Sequence, residues 1–172
     1  METIEIKPAQ IGDAQQILDL QGVAYRLEAE RYGVDDLPPM TQTLDHLIAE
    51  YDTSTILVAR YSPGIATGPS DPIVGSVRAR VVEGTAYVGR LAVVPDMHGR
   101  GIGRQLLWAV ERATAPVDRY ELFTGHRSDR NLRMYERAGY RRIRSEQQRD
   151  AVTLVYMEKV VRRATPLRAG AR

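Results

Sequence analysis

Leu91-Ala92-Val93-Val94-Pro95-Asp96-Met97-His98-Gly99-Arg100-Gly101-Ile102-Gly103-Arg104-Gln105-Leu106-Leu107 is the most informative run of the chain. An apolar run of strand character meets Pro95, passes through three glycines in five positions, and opens an amphipathic helix. The glycines clear side chains from one spot. Backbone N–H groups there can face an anion, and the helix dipole favours negative charge. Arg100 and Arg104 add cations whose fork geometry suits phosphate. A nucleoside-triphosphate loop would need Gly-Lys followed by Ser or Thr, where this one reads Gly103-Arg104-Gln105. A dinucleotide fingerprint would need a third glycine where Leu106 stands, after the first strand of the chain. A glycine-rich turn with no ligand is the plain alternative.

On either side of this run the chain alternates two periods. Upstream, Thr3–Lys7 reads as a short strand ended by Pro8. Asp13 caps a helix to about Tyr32, with Ile17, Leu18, Leu20, Val23, Ala24 and Leu27 at helical spacing. Gly33–Met40 is a loop, and Thr43 caps a second helix carrying Leu44, Leu47 and Ile48. Thr55–Tyr61, Ile73–Val82 and Thr85–Val94 are strands. A Gly- and Pro-rich loop separates the first two, and a tight turn at Glu83-Gly84 joins the last two. Downstream come a helix over Ile102–Ala113 with Leu106, Leu107, Val110 and Ala113 on its apolar face, then a strand at Arg119–Phe123. A helix capped by Ser128 or Asp129 runs through Ala138, and paired strands follow at Tyr140–Ser145 and Ala151–Glu158. The expectation is one α/β domain over residues 1–160, a single mixed twisted sheet with flanking helices in the order βααβββαβαββ. A basic tail, 161–172, should follow it.

The chain has 172 residues and 43% hydrophobic content, enough to bury a core. It has no Cys, which removes disulfides, thiolate metal sites and cysteine nucleophiles. No apolar run approaches the ~20 residues of a membrane span, and residues 1–10 lack an apolar signal core. A cytoplasmic protein without a membrane partner is expected. Residues 141–172 hold nine of the 24 Lys and Arg against three acids. No DNA- or RNA-binding motif accompanies that basic end, so nucleic acid is not expected as a partner.

A second stretch, Ser128-Asp129-Arg130-Asn131-Leu132-Arg133-Met134-Tyr135-Glu136-Arg137-Ala138-Gly139-Tyr140, places Asn131 and Tyr135 four apart on one helix face. Tyr135 reads either as a core aromatic or as a phenol able to donate a proton to a leaving thiolate. Together the two stretches resemble the GNAT superfamily of acetyl-CoA-dependent N-acetyltransferases: strand, Pro, Gly-rich turn, helix, strand, then Asn-x-x-x-Tyr-x-x-x-Gly-Tyr.

The resemblance implies splayed strands around the coenzyme, with acetyl-CoA as co-substrate and no metal. It assigns Leu91, Ala92 and Val93 to the pantetheine and acetyl carbonyl. The pyrophosphate falls to the amides of His98, Gly99, Arg100, Gly101, Ile102, Gly103 and Arg104. Asn131 would bind the pantetheine arm, and Tyr135 would protonate the departing thiolate. The acceptor would be a small-molecule or peptide amine attacking the thioester directly. Family members often form homodimers.

Two positions depart from the family pattern. His98 stands where Gln or Arg is usual. Tyr87, a poor base near neutral pH, stands where many relatives carry Glu. His126 becomes the expected base, with Glu28 and Glu30 as further candidates. Tyr25, Glu28 and Tyr87 are expected at the acceptor. The acids of this first helix and the following loop suggest a cationic amine such as a polyamine, an aminoglycoside or a lysine. A non-catalytic acyl-CoA-binding or sensing module is the alternative function.

Overall fold

The computed structural model describes residues 3–62, 64, 71–149 and 151–161. Strand β1 (Thr3–Pro8) leads into helices α1 (Ala14–Tyr32) and α2 (Leu44–Glu50). Strands β2 (Thr55–Ser62), β3 (Ile73–Val82) and β4 (Thr85–Val93) follow, then α3 (Ile102–Thr114) and β5 (Arg119–Gly125). Helix α4 (Asp129–Arg137) and strands β6 (Arg141–Arg149) and β7 (Val152–Val160) complete the order, which is the expected one. Most of the Gly- and Pro-rich loop and the basic tail from Arg162 lie outside the described residues.

The strands form one mixed sheet in the order β1-β2-β3-β4-β5-β7-β6. Neighbours run antiparallel except β4 and β5, which are parallel because α3 carries the chain back between them. The β3–β4 hairpin turns on Glu83 (φ 46) and Gly84 (φ 77), both left-handed, as a two-residue turn that follows the strand twist requires.

Each face of the sheet has its own core. On one, Leu106, Leu107 and Val110 of α3 meet Val77, Ala79, Val88, Leu122 and Met157, joined by Leu132, Tyr135 and Tyr140. On the other, Ile17 and Leu20 of α1 and Leu47 of α2 cover Ile56, Val58 and Ala92. Glu111 ties the first core together. It accepts from Tyr140 Oη (2.8 Å) and Lys159 Nζ (2.7 Å), while its carbonyl accepts from Tyr120 Oη (2.7 Å).

Helix α1 presents a different face from the one its apolar residues suggest. Val23 and Leu27 are exposed, and Gln21 is fully buried. The inward row runs Ile17, Gln21, Ala24, Glu28, Tyr32 at helical spacing. Two of its members are polar because polar groups await them underneath: Arg78 below Gln21, and Ser128 beside Glu28. Leu44, Ile48 and Ala113 are likewise exposed. Asp13 does not cap α1 with its side chain. Its carboxylate accepts from the Gln10 amide (2.9 Å) and pairs with buried Arg60. Thr43 does cap α2, accepting from the His46 amide at 3.3 Å.

Candidate active site

β4 and β5 pair only over Thr85–Tyr87 against Arg119–Glu121. Beyond that point β4 keeps company with β3, and β5 with β7. The divergence has a local cause. Arg78 pairs with Gly89 and Ser76 with Ala92, so Arg90 and Leu91 together oppose the single residue Val77. This is a bulge, which bends and twists the strand that carries it. Arg90 sits there at φ 53, a left-handed conformation uncommon for a residue with a side chain.

The Gly-rich turn lies at the end of β4. Gly99 (φ 82) and Gly101 (φ 79) are both left-handed, and Gly101 forms the N-cap of α3 without any side-chain cap. Among the described residues, the amides of Gly99, Gly101, Ile102, Gly103 and Arg104 find no acceptor; the first helical bond is Gln105 N–H to Gly101 O (3.1 Å). A Cβ at Gly99 or Gly101 would meet nothing nearer than Arg130 Nη2 (3.8 Å) and Gln105 Nε2 (3.9 Å). The glycines therefore serve the backbone conformation, and the space above them is open. Open space, unpaired amides and the positive end of a 13-residue helix fit a pyrophosphate. His98 stands apart from this set. Its amide is already donated to Pro95 O (3.0 Å), and its ring lies 2.9 Å from Val93 O, so it braces the turn from behind.

Helix α4 packs across this turn. Arg130 reaches the Gly99 position, and a Cβ at Gly103 would stand 3.4 Å from Met134 Sδ. On the adjacent row Asn131 is half-buried and Tyr135 is 6% exposed. Neither side chain has a hydrogen-bond partner among the described residues. Burial, with the neighbouring Tyr25 and the Glu28 charge, pushes the Tyr135 phenol far above its ordinary value of 10.0, so it stays protonated throughout the physiological range.

A clasp joins α1 to the start of α4. Ser128 Oγ donates to Glu28 (2.6 Å), which also accepts from Arg31 (2.6 Å). The Arg127 amide donates to Tyr32 Oη (2.8 Å). His126 meets the Tyr32 ring at 5.5 Å with the planes tilted by 49°, its Nδ1 lying 3.1 Å from Thr153 O and 3.3 Å from the Thr153 amide. Burial raises the Tyr25 phenol, while the charges of Arg90 and Arg78 pull it down and that of Glu28 pushes it up. Tyr25 thus stands among the charged groups of this wall. Tyr87 is 45% exposed at the point where β4 and β5 part. Glu30 is exposed on α1, and Asp35 and Asp36 are exposed in the loop beyond it.

Three residues of the site escaped the sequence reading. Arg90 and Arg78 are arginines inside strands, and Arg130 precedes Asn131. Arg78 is 5% exposed and bonds Glu50, Gln21 and Gln42. A charged residue breaking an otherwise apolar strand was the available signal for both strand arginines.

The family model described as an acetyltransferase (GNAT) domain matches residues 40–161. The chain belongs to the GNAT acetyltransferase family. No curated protein sequence matches this GNAT chain significantly. Solved structures do match its fold. The ribosomal-protein-S18-alanine N-acetyltransferase of Escherichia coli superposes with TM-score 0.73 at 15% identity, over 96% of this chain and 98% of that one. The PaiA N-acetyltransferase of Thermoplasma acidophilum, in complex with coenzyme A, gives 0.70 at 16% identity over 92% and 99%. Arabidopsis thaliana NAA60, in complex with a bisubstrate analogue, gives 0.71 at 17% identity over 92% and 98%. None of the helices is long and apolar enough to cross a membrane among the described residues.

Proposed function

We propose that this GNAT domain moves an acetyl group from acetyl-CoA to a primary amine by direct attack within a ternary complex. The observation that carries this reading is a conjunction. An uncapped glycine turn with unpaired amides stands at the end of β4, and a buried, unpartnered, protonated phenol stands on the helix packed across it.

In this reading the amides of Gly99, Gly101, Ile102, Gly103 and Arg104 hold the pyrophosphate, with Arg100 and Arg130 beside them. Leu91, Ala92 and Val93 line the pantetheine path, and Asn131 offers it an amide. The amine nitrogen attacks the thioester carbonyl carbon. A C–N bond forms, the C–S bond breaks, and the nitrogen gives up a proton. Tyr135 donates its phenolic proton to the departing sulfur. A raised phenol is a reluctant acid, but a thiolate born in the same buried place is a correspondingly strong base. Glu28 accepts the amine's proton, since the clasp with Ser128 holds its carboxylate on the same helix as Tyr25 and at the start of the helix that carries Tyr135.

His126 supports a second reading for the base. If its Nδ1–H donates to Thr153 O, Nε2 keeps a lone pair. The two readings part on variants. Glu28→Gln should cost about tenfold to a hundredfold in kcat, and His126→Gln less than about threefold; the reverse order transfers the role to His126.

The test is calorimetry with acetyl-CoA, then free-thiol release over a panel of amines. Binding with amine-dependent release supports the enzyme. Binding without release for any amine favours a sensing module, and absence of binding removes the reading.

A further inference from the structure

We propose that the acceptor carries a carboxylate as well as its amine, a zwitterion of the amino-acid type, and that Arg90, backed by Arg78, takes that carboxylate. The proposal rests on the acyl-transfer reading above and names the substrate class of the same site.

The first observation is where Arg90 stands. It occupies the bulge at which β4 leaves β5, in a left-handed conformation that side chains rarely adopt. Gly89, one residue earlier, would accept such a conformation freely. The chain instead holds an arginine there. An unfavourable backbone at the mouth of a site is a reason to ask what its side chain does.

The second is charge. Arg78 is buried and answered by Glu50, with Gln21 and Gln42 completing its bonds. Arg90 is half-buried and has no carboxylate partner among the described residues, and the charge it feels from β3 is the like charge of Arg78. Glu28, the acid whose charge acts on Tyr25 together with those of the two arginines, is already engaged by Ser128 and Arg31. A partly desolvated cation with no partner is unfavourable unless an anion arrives. A guanidinium fork matches a carboxylate in two parallel hydrogen bonds.

The third is polarity. Tyr25, on the inward side of α1, lies within the field of Arg90 and Arg78 and also of Glu28, which act on it with opposite sign. The wall is therefore cationic at the bulge and anionic toward α4. A zwitterion fits both ends, its carboxylate on Arg90 and its amine toward Glu28 and Tyr135. A polyamine would bring a second cation against two arginines. Of the acids that suggested a cationic amine, Glu30, Asp35 and Asp36 are exposed, and Glu28 is the half-buried one.

The experiment compares the common amino acids with their own carboxamides, and includes spermidine. Acetyl-CoA is held at saturation and free thiol is followed. At least one amino acid should exceed its amide by about thirtyfold in kcat/KM, the discrimination expected of a charge-assisted bidentate contact. Arg90→Gly relieves the backbone and keeps the fold. In it the ratio should collapse toward about one while calorimetry gives an acetyl-CoA affinity within about twofold of wild type. Arg90→Glu should invert the ratio. Amides or spermidine consumed as fast as amino acids would overturn the proposal and leave the acyltransferase reading standing. A ratio unchanged in Arg90→Gly would overturn it in the same way. Acetyl-CoA bound but no thiol released from any of these amines also overturns it. Failure to bind acetyl-CoA overturns both.

Discussion

Replacing Tyr135 by Phe should separate activity from stability. The residue is 6% exposed and its hydroxyl bonds to nothing among the described residues, but that oxygen is not sealed from solvent: among the described residues Ser76 Oγ is the one fully buried side-chain atom without a partner. Removing a hydroxyl that still meets solvent should change stability by no more than about 0.5 kcal/mol. For a domain of this length that keeps the Tm within about 2 °C of wild type. Turnover should fall about a hundredfold, the lower end of general-acid contributions, equivalent to about 2.7 kcal/mol of transition-state stabilisation. Tyr140→Phe is the internal control. Its ring meets that of Tyr135 at 5.9 Å, and its hydroxyl donates to Glu111 at 2.8 Å. Losing a hydrogen bond to a charged group costs about 1.5–3 kcal/mol, or roughly 3–12 °C, with kcat preserved. Thermal denaturation and thiol release on the two variants complete the test. Wild-type turnover in Tyr135→Phe, or a Tm loss equal to that of Tyr140→Phe, would make Tyr135 a core aromatic and nothing more.

Gly101→Glu places a side chain at φ 79 and a carboxylate among amides suited to an anion, so acetyl-CoA affinity should fall at least a hundredfold by calorimetry; retained affinity would mean that the phosphates bind elsewhere. Gly125→Ala should destabilise by about 2–4 kcal/mol in urea melts. The new Cβ would overlap Tyr32 Oη and stand 2.8 Å from its Cζ, expelling the ring and breaking its bond from the Arg127 amide; a change under about 0.5 kcal/mol would mean that the clasp yields freely. Burial raises the phenols of Tyr120, Tyr135 and Tyr140 above their ordinary value of 10.0. The folded state then binds these protons more tightly than the unfolded chain. The stability is intact below about pH 10 and is lost above it, by up to about 1.4 kcal/mol per pH unit for each phenol. Denaturation midpoints that stay level from about pH 9 to about pH 11 would contradict that burial.

Element order, the Glu83-Gly84 hairpin and the two motif stretches were legible because each rests on local signals: period, proline, glycine, cap. What failed was long-range. Gln21 reads as surface until Arg78, 57 residues away, is found beneath it. Val23 and Leu27 read as core because the period alone does not say which of two overlapping rows faces inward. Asp13 has the sequence position of a cap, but Arg60, 47 residues on, claims its carboxylate. His98 falls within the turn by spacing, yet its amide is spent on Pro95. Arg90 was passed over because a bulge depends on the register between two strands, which no single strand's sequence displays.

The parting of β4 from β5 gives this sheet more edges than its outer strands supply. Past Tyr87 and Glu121, two interior strands each turn an unladdered flank toward the other. Bare flanks of this kind invite a foreign strand, the usual route to aggregation. The devices that blunt an outer edge are present here in the middle of the molecule: a bulge that breaks the flat register and an arginine set into it. Filling the cleft should then do more than prepare a reaction. Saturating acetyl-CoA should slow heat-induced aggregation of the protein, and should do so most in variants that straighten β4.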